Sequence, residues 1–252
     1  MRTGTDPRCY ETAMSGALSF PTTHWSLILS SASETRSEAE TALAELCRTY
    51  WYPVYSFVRA RSSCADEAQD LTQEFFLYLL DRDVFSAANP AAGRFRSFLM
   101  TSLRNFLADQ ADRRSAQKRG GNVISVPIDL AGAEERFMRD LQYRDTPEKV
   151  FDRQWALTLV TQACDQLRDA LAREGKGGLF HHVRPFLPGG CDPPSYANLA
   201  AELNATESSV KITIHRLRRC YRDLLRANVG HTLADPKEVD DEIRFLLNSL
   251  SA

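Results

Sequence analysis

Long apolar runs, paired cysteine motifs and a strong excess of one charge are all absent from this sequence of 252 residues. No apolar stretch approaches the roughly 18 residues that indicate a membrane span. The N-terminus lacks the basic and then apolar pattern of a secretory signal. Six cysteines occur, but none forms a Cys-x-x-Cys pair, and a chain of this length needs no disulfide staples. We therefore expect a soluble, cytoplasmic protein that holds no metal and no cofactor.

Recognised catalytic patterns are also lacking. The stretch Gly175-Lys176-Gly177-Gly178 has neither the spacing of a phosphate-binding loop nor a following Ser or Thr. His181, His182 and Cys191 lack the spacing of zinc ligands and a fourth partner. No nucleophile and base stand out together. These absences argue against an enzyme, and they favour a flexible linker for residues 175–178, at the start of a glycine- and proline-rich stretch that extends to residue 194.

Apolar residues, at 43% of the chain, are plentiful enough for real cores and recur at helical spacing. Strand alternation and internal repeats are not seen, so the sequence predicts an all-α fold. Pro53 is expected to kink or divide the first helix, and Ser63 to begin the second, with Asp66 three residues on. The predicted helices span about residues 34–61, 63–79, 95–114, 147–173, 196–203, 207–227 and 236–250, with one short helix near 134–141.

Glycine, proline and mixed charge divide the predicted helices into groups. We predict two helical domains joined by a linker. The predicted ranges are an N-terminal arm (1–33), a first domain (34–119), a linker (120–146), a second domain (147–230) and an acidic amphipathic tail (231–252).

Residues 196–225 have the pattern of a helix-turn-helix. Asn204 tolerates the left-handed conformation of a sharp turn, and Thr206 can cap the second helix. One face of that helix is apolar, with Val210, Ile214 and Leu217, whereas the other is polar and basic. A solvated face on an ordinary helical hairpin is the alternative to DNA binding. The candidate DNA-binding residues are Ser208, Ser209, Lys211, Ile212, His215, Arg216, Arg218 and Arg219.

The helix predicted over 95–114 is basic, whereas the helix before it is acidic, although the net charge of the whole chain is only -2. Cations interleaved with aromatic side chains suit single-stranded DNA, but phenylalanines at helical spacing are more often core, which we favour for Phe98 and Phe106. The acidic helix indicates either a protein-docking surface or a solvated face. The basic and aromatic candidates in the basic helix and directly before it are Arg94, Phe95, Arg96, Arg104, Arg113 and Arg114.

These segments resemble the sigma-70 family of RNA polymerase sigma factors, extracytoplasmic-function (ECF) type. The stretch from Glu67 to Phe76 is similar to the acidic motif of sigma region two, in which the resemblance assigns Asp70, Gln73 and Glu74 to the β′ clamp helices of core RNA polymerase. Residues 98–113 resemble the part that opens and reads the −10 element, which adds Asn105 and Asp109 to the DNA-binding candidates. Residues 196–225 resemble region four, which reads the −35 element and touches the β flap.

The resemblance implies a non-enzymatic subunit that directs promoter-specific transcription initiation. A base flipped from the −10 element is expected in a pocket formed by residues 83–94 and the helix that follows. An anti-sigma factor is a further partner that the resemblance allows. Phe98 stands where the family often has Trp, and Asn204 replaces the usual turn Gly. The segment 175–194 is an unusual insertion.

Two questions stay open at this stage. A one-component helix-turn-helix repressor or activator would explain residues 196–225 but not the acidic motif at 67–76. The acidic tail is expected to pack as an amphipathic helix on the second domain. The alternative is a self-inhibitor that covers the basic recognition helix.

Overall fold

The computed structural model describes residues 36–79, 94–116, 130–140 and 146–251. These ranges contain helices and turns but no strand, which confirms the all-α prediction. None of the helices in them is both long enough and apolar enough to cross a bilayer. The helices are α1 (Arg36–Arg59), α2 (Ala65–Leu79), α3 (Phe95–Ala116), α4 (Leu130–Asp140), α5 (Pro147–Arg173), α6 (Gly177–Val183), α7 (Tyr196–Glu202), α8 (Glu207–Gly230) and α9 (Val239–Ser251).

Short-range signals in the sequence set several helix boundaries. The Thr146 side chain accepts a hydrogen bond from the Lys149 N–H, and Pro147 occupies the first turn of α5, where a missing N–H costs nothing. α1 is not divided at Pro53. At the start of α2, Glu67 rather than Asp66 accepts hydrogen bonds from Ser63, at 3.3 Å from its backbone N–H and 3.0 Å from its hydroxyl.

Helix α5 is the central element of the fold. It packs against α1, α8 and α9. Trp155 in its middle is fully buried, as are Phe151 and Ala156. Since α5 belongs to the second predicted domain and α1 to the first, this packing joins the two ranges.

One continuous apolar cluster runs through α1, α2, α3, α4, α5, α8 and α9. It therefore draws on both predicted domains, 34–119 and 147–230, which share a core in this structure. A smaller cluster under the N-terminal half of α8 is formed by Phe186, Leu199, Ala200, Val210 and Ile214. The division of the chain by function stays a prediction, but the packing of the described residues does not follow it.

The predicted linker contains α4, and α4 is fixed to α1 by one carboxylate. Glu134 accepts a hydrogen bond from the Tyr55 hydroxyl at 2.5 Å and from Arg59 Nη2 at 3.0 Å. Phe137 adds an edge contact to Tyr55, with ring centroids 6.5 Å apart. Part-burial acts to raise the pKa of Glu134, but the hydrogen bonds from Arg59 and Tyr55 outweigh it and lower that pKa.

We expect Glu134→Gln to lower the free energy of unfolding at pH 7 by about 1.5–3 kcal/mol, the usual range for hydrogen bonds to a charged group. Because the folded-state pKa lies below the ordinary value of 4.5, the unfolded chain takes up the proton first as the pH falls. The stabilisation is therefore complete above pH 4.5 and is lost as the pH falls through the folded-state pKa. Urea unfolding of both proteins between pH 3 and 7 measures this difference.

Glu135→Gln is the matched control, because Glu135 is the exposed neighbour on the same helix. It should leave the unfolding free energy within about 0.5 kcal/mol of wild type. Equal effects of the two substitutions at every pH would contradict a role for Glu134 in fixing α4.

The insertion 175–194 is folded, and this includes Gly177 and Gly178 of the stretch expected to be a flexible linker. α6 begins at Gly177, and a 3₁₀ turn follows at Arg184–Phe186. The Phe186 ring stacks on Tyr196 with centroids 5.5 Å apart, and Val183 and Leu187 are buried. The linker prediction was wrong at Gly177 and Gly178, because it gave more weight to glycine content than to the apolar residues that follow, three of which the fold buries.

Candidate nucleic-acid interface

Helices α7 and α8 form the predicted helix-turn-helix. Ser195 caps α7 by accepting from the Asn198 N–H at 3.1 Å. Thr206 caps α8 by accepting from the Ser209 N–H at 3.2 Å. Asn204 lies between them with a φ of 49°, the left-handed conformation that Asn tolerates better than other non-glycine residues. The turn at Asn204 and the Thr206 cap were predicted from the sequence, whereas the Ser195 cap was not.

The apolar face of α8 anchors it to the rest of the chain. Val210 and Ile214 enter the small cluster. Leu217 and Tyr221, further along the same face, enter the main core. This arrangement orients the opposite face of α8 toward solvent.

The solvent-facing side of α8 carries most of the predicted −35 candidates. Ile212, a large apolar residue, is 53% exposed. Small polar groups near the N-terminal end of such a helix can approach base edges, and arginines further along can pair with phosphates. We call this surface the recognition stripe, and its exposed members are Ser208, Ser209, Ile212, His215, Arg216 and Arg219.

Lys211 and Arg218 differ from the other candidates because each contacts the protein itself. Lys211 Nζ lies 2.6 Å from Glu207 Oε1 and 5.5 Å from the centroid of the Tyr196 ring. Arg218 Nε donates to the Phe186 carbonyl at 2.9 Å. Arg218 therefore joins α8 to the folded insertion while it remains exposed, and the DNA contact predicted for it stays a prediction.

The start of α3 is placed differently from the prediction. Phe95 is fully buried, so its ring is not presented to DNA. Arg96 Nε donates to Glu242 Oε1 at 2.6 Å, and Arg94 Nη1 lies 2.8 Å from Glu242 Oε2. Three of the −10 candidates, Arg94, Phe95 and Arg96, are therefore held by the fold.

A second carboxylate completes this arginine site. Asp152 of α5 accepts from Arg96 Nη1 at 3.3 Å. Burial raises the pKa of Asp152, and the positive charge of Arg96 only partly offsets the shift. Sequence reasoning missed Asp152, and it treated Glu242 only as one of the acidic residues of the tail. A signal for Glu242 was present, because it falls on the apolar face of α9 between Val239 and Leu246, both buried.

The remaining −10 candidates lie further along α3. Asn105, Asp109 and Arg113 are exposed. Arg104 is also half exposed, but its Nη2 lies 3.0 Å from Glu148 Oε1 of α5. The side chain of Arg114 lies outside the described residues, as do residues 83–93 of the predicted base pocket. Phe106 is buried as predicted, and Phe98 packs half-buried against the core.

The acidic helix α2 presents only part of the predicted polymerase-binding set. Asp70 and Glu74 are exposed, and Glu74 Oε2 accepts from Gln110 Nε2 of α3 at 3.0 Å. Gln73 is only 8% exposed, because it falls on the buried side of α2 beside Thr72. The prediction for Gln73 as a docking residue is therefore not supported by its position.

A groove of about 360 Å³ opens between α1, α2 and α3. Its rim carries Arg61 and Glu67, and Leu71 and Leu107 contribute to its apolar wall. Arg104 also lines it, so the groove adjoins the exposed part of α3. Within the described ranges, no group of three His, Cys, Asp or Glu side chains comes together as a metal site would require.

The fold and this surface define a class: an all-α protein with a helix-turn-helix whose polar face is open to solvent. Comparison with family models, with curated proteins and with solved structures finds no match for this chain.

Proposed function

We propose that this protein is a sigma factor of the ECF type, which binds core RNA polymerase and directs it to particular promoters. The observation that carries the proposal is the recognition stripe. An exposed set of small polar, apolar and cationic side chains follows one face of α8, whose opposite face is buried. In the proposal this stripe enters the major groove of the −35 element.

The acidic face of α2 supports a second contact, with polymerase. Asp70 and Glu74 are exposed carboxylates on one helix, and such a surface repels DNA but suits a basic protein partner. α3, whose exposed residues are assigned to the −10 element, packs beside α2. A polymerase contact and a DNA contact thus lie on neighbouring helices.

The test is transcription in vitro with purified core RNA polymerase on a pool of promoter fragments. We expect discrete new transcripts with the wild-type protein. Asp70→Lys combined with Glu74→Lys should abolish them by reversing the charge at the polymerase contact. Arg216→Ala combined with Arg219→Ala should reduce them at least tenfold, since a base or phosphate contact is worth about 1–3 kcal/mol.

Salt dependence gives an independent check on the recognition stripe. Loss of two phosphate contacts should reduce the slope of log affinity against log salt by about 2. Arg168→Ala combined with Arg244→Ala is the matched control, because it removes two exposed cations outside the stripe. If the affinity of the wild-type protein did not depend on salt, or if the two double variants had the same slope, the proposed phosphate contacts would be contradicted.

A one-component repressor or activator differs in its need for polymerase. Such a protein binds its operator alone, whereas a sigma factor needs core enzyme for efficient promoter binding. Tight and sequence-specific duplex binding by the isolated protein, with no polymerase-dependent transcript, would replace the sigma-factor proposal with this alternative.

A further inference from the structure

The last helix of the protein reaches back to the start of α3 through a buried carboxylate. Glu242 of α9 is fully buried, and each of its oxygens faces a different arginine. Oε1 accepts from Arg96 Nε at 2.6 Å, and Oε2 lies 2.8 Å from Arg94 Nη1. Residues 242 and 94–96 are separated by almost 150 positions, so this is a tertiary contact that closes the chain on itself.

Neighbouring groups strengthen the same contact. The Arg96 guanidinium lies 3.7 Å from the centroid of the Phe245 ring of α9, a distance at which a cation–π interaction is strong. Glu238, just before α9, lies 3.6 Å from Arg94. The Phe95 N–H also donates to the Thr232 carbonyl at 3.3 Å. We call these four residues that contact residues 94–96, Thr232, Glu238, Glu242 and Phe245, the clasp.

The chemistry of the clasp is that of a site which could exchange one anion for another. A buried ion pair adds little net stability compared with apolar residues of similar size, so the fold alone does not require charge here. Glu242 Oε2 has no partner in hydrogen-bond geometry, although it is close to Arg94. Two arginines facing one incompletely satisfied carboxylate would also bind a phosphate, which offers more oxygens to them.

The recognition stripe is not covered by α9. The contact between α9 and α8 includes the ion pair of Asp240 with Arg226. Arg226 lies near the C-terminal end of α8, beyond the stripe. The structure therefore does not support the hypothesis that the acidic tail covers the recognition helix. The tail contacts the arginines at the start of α3 instead, and the recognition stripe remains exposed to solvent.

We propose that α9 is a regulatory clasp, in which Glu242 occupies Arg94 and Arg96 until the phosphates of an unpaired DNA strand displace it. The inference rests on the proposed function, since it assumes that α3 meets promoter DNA. In the closed form the chain binds duplex DNA through the recognition stripe, and single-stranded DNA gains the arginine pair only when α9 is released.

The first test compares Glu242→Gln with Asp241→Asn. Each removes one negative charge from α9, so their long-range effects on DNA binding match. Asp241 faces solvent beside Arg244, whereas Glu242→Gln removes the buried charge that Arg94 and Arg96 share, so that, among the described residues, Arg94 keeps only Glu238 and Arg96 only Asp152. The probes are a fluorescein-labelled single-stranded 20-mer of random sequence and the corresponding random duplex, read by anisotropy, with hydrogen exchange of residues 94–100 and 239–251 measured in parallel.

We expect Glu242→Gln to bind the single strand about tenfold more tightly than Asp241→Asn, because two more phosphate contacts become available. Duplex binding should agree within about twofold, since the recognition stripe is open in both. Exchange at 94–100 and 239–251 should be faster in Glu242→Gln alone. Equal single-strand affinities overturn the clasp, and so does faster exchange without tighter binding, which would make Glu242 purely structural.

The wild-type chain provides a test that does not depend on the folding of a variant. Saturating single-stranded 20-mer should accelerate exchange at 239–251, because strand and clasp compete for the same arginines. Unchanged or slower exchange with the strand bound overturns the proposal, as does the absence of single-strand binding in wild type and Glu242→Gln alike. In those cases duplex binding and polymerase-dependent transcription still decide the proposed function separately.

Discussion

Replacing Trp155 with alanine should lower the free energy of unfolding by about 3–5 kcal/mol, the range for removing a large aromatic side chain from a core. Trp155 is fully buried in the middle of α5. Its ring lies 6.4 Å from that of Phe245, and α5 packs on α1, α8 and α9. The substitution therefore opens a cavity where both halves of the chain meet.

The same substitution tests whether the chain unfolds as one unit. Urea unfolding followed by circular dichroism and by hydrogen exchange should show a single transition, in which α1 and α8 lose protection together. Leu247→Ala on α9 is the control, because Leu247 is 50% exposed and should cost no more than about 0.5 kcal/mol. Two separate transitions, with only one lowered by Trp155→Ala, would contradict a shared core.

Local features of the fold could be predicted because they depend on neighbouring residues. The bounds of α5, the Thr206 cap and the left-handed Asn204 each follow from a few adjacent side chains and their backbone preferences. The apolar face of α8 follows in the same way from helical periodicity. Thus the geometry of the helix-turn-helix was largely readable from the sequence.

Contacts between distant segments could not be predicted in the same way. The sequence marked Arg94 and Arg96 as cations available to DNA, because nothing near them in the chain pairs with them. Their partners, Glu242 and Asp152, come from α9 and α5. The pattern of charges along one helix does not reveal which other helix packs against that helix.

Burial of single polar residues was also beyond the sequence argument. Gln73 was assigned to polymerase by its position in an acidic motif, yet it lies on the side of α2 that faces the core. Asp70, three residues earlier, faces solvent. The motif identifies a helix, but which of its side chains are buried depends on how that helix packs against its neighbours.

Replacing Gly190 with alanine should destabilise the helix-turn-helix by about 1–3 kcal/mol, the cost of forcing extra atoms into a packed site. A Cβ atom at this position would lie 2.5 Å from the Pro185 carbonyl oxygen and 2.6 Å from that of Arg184. Both are backbone atoms of the 3₁₀ turn, so the turn itself must move. Since Arg218 donates to the Phe186 carbonyl in that turn, the displacement is transmitted to α8.

Gly178→Ala is the matched control from the same insertion, because a Cβ there meets nothing within 4 Å. It should be neutral or stabilise the protein by up to about 1 kcal/mol, as expected for glycine replaced in a helix. Hydrogen exchange resolves where each effect falls: Gly190→Ala should loosen residues 184–217 while the protection of α1 and α5 persists. Duplex binding should weaken together with that loosening, because the recognition stripe depends on the position of α8. If Gly190→Ala leaves exchange and duplex binding unchanged, the insertion does not brace the recognition helix.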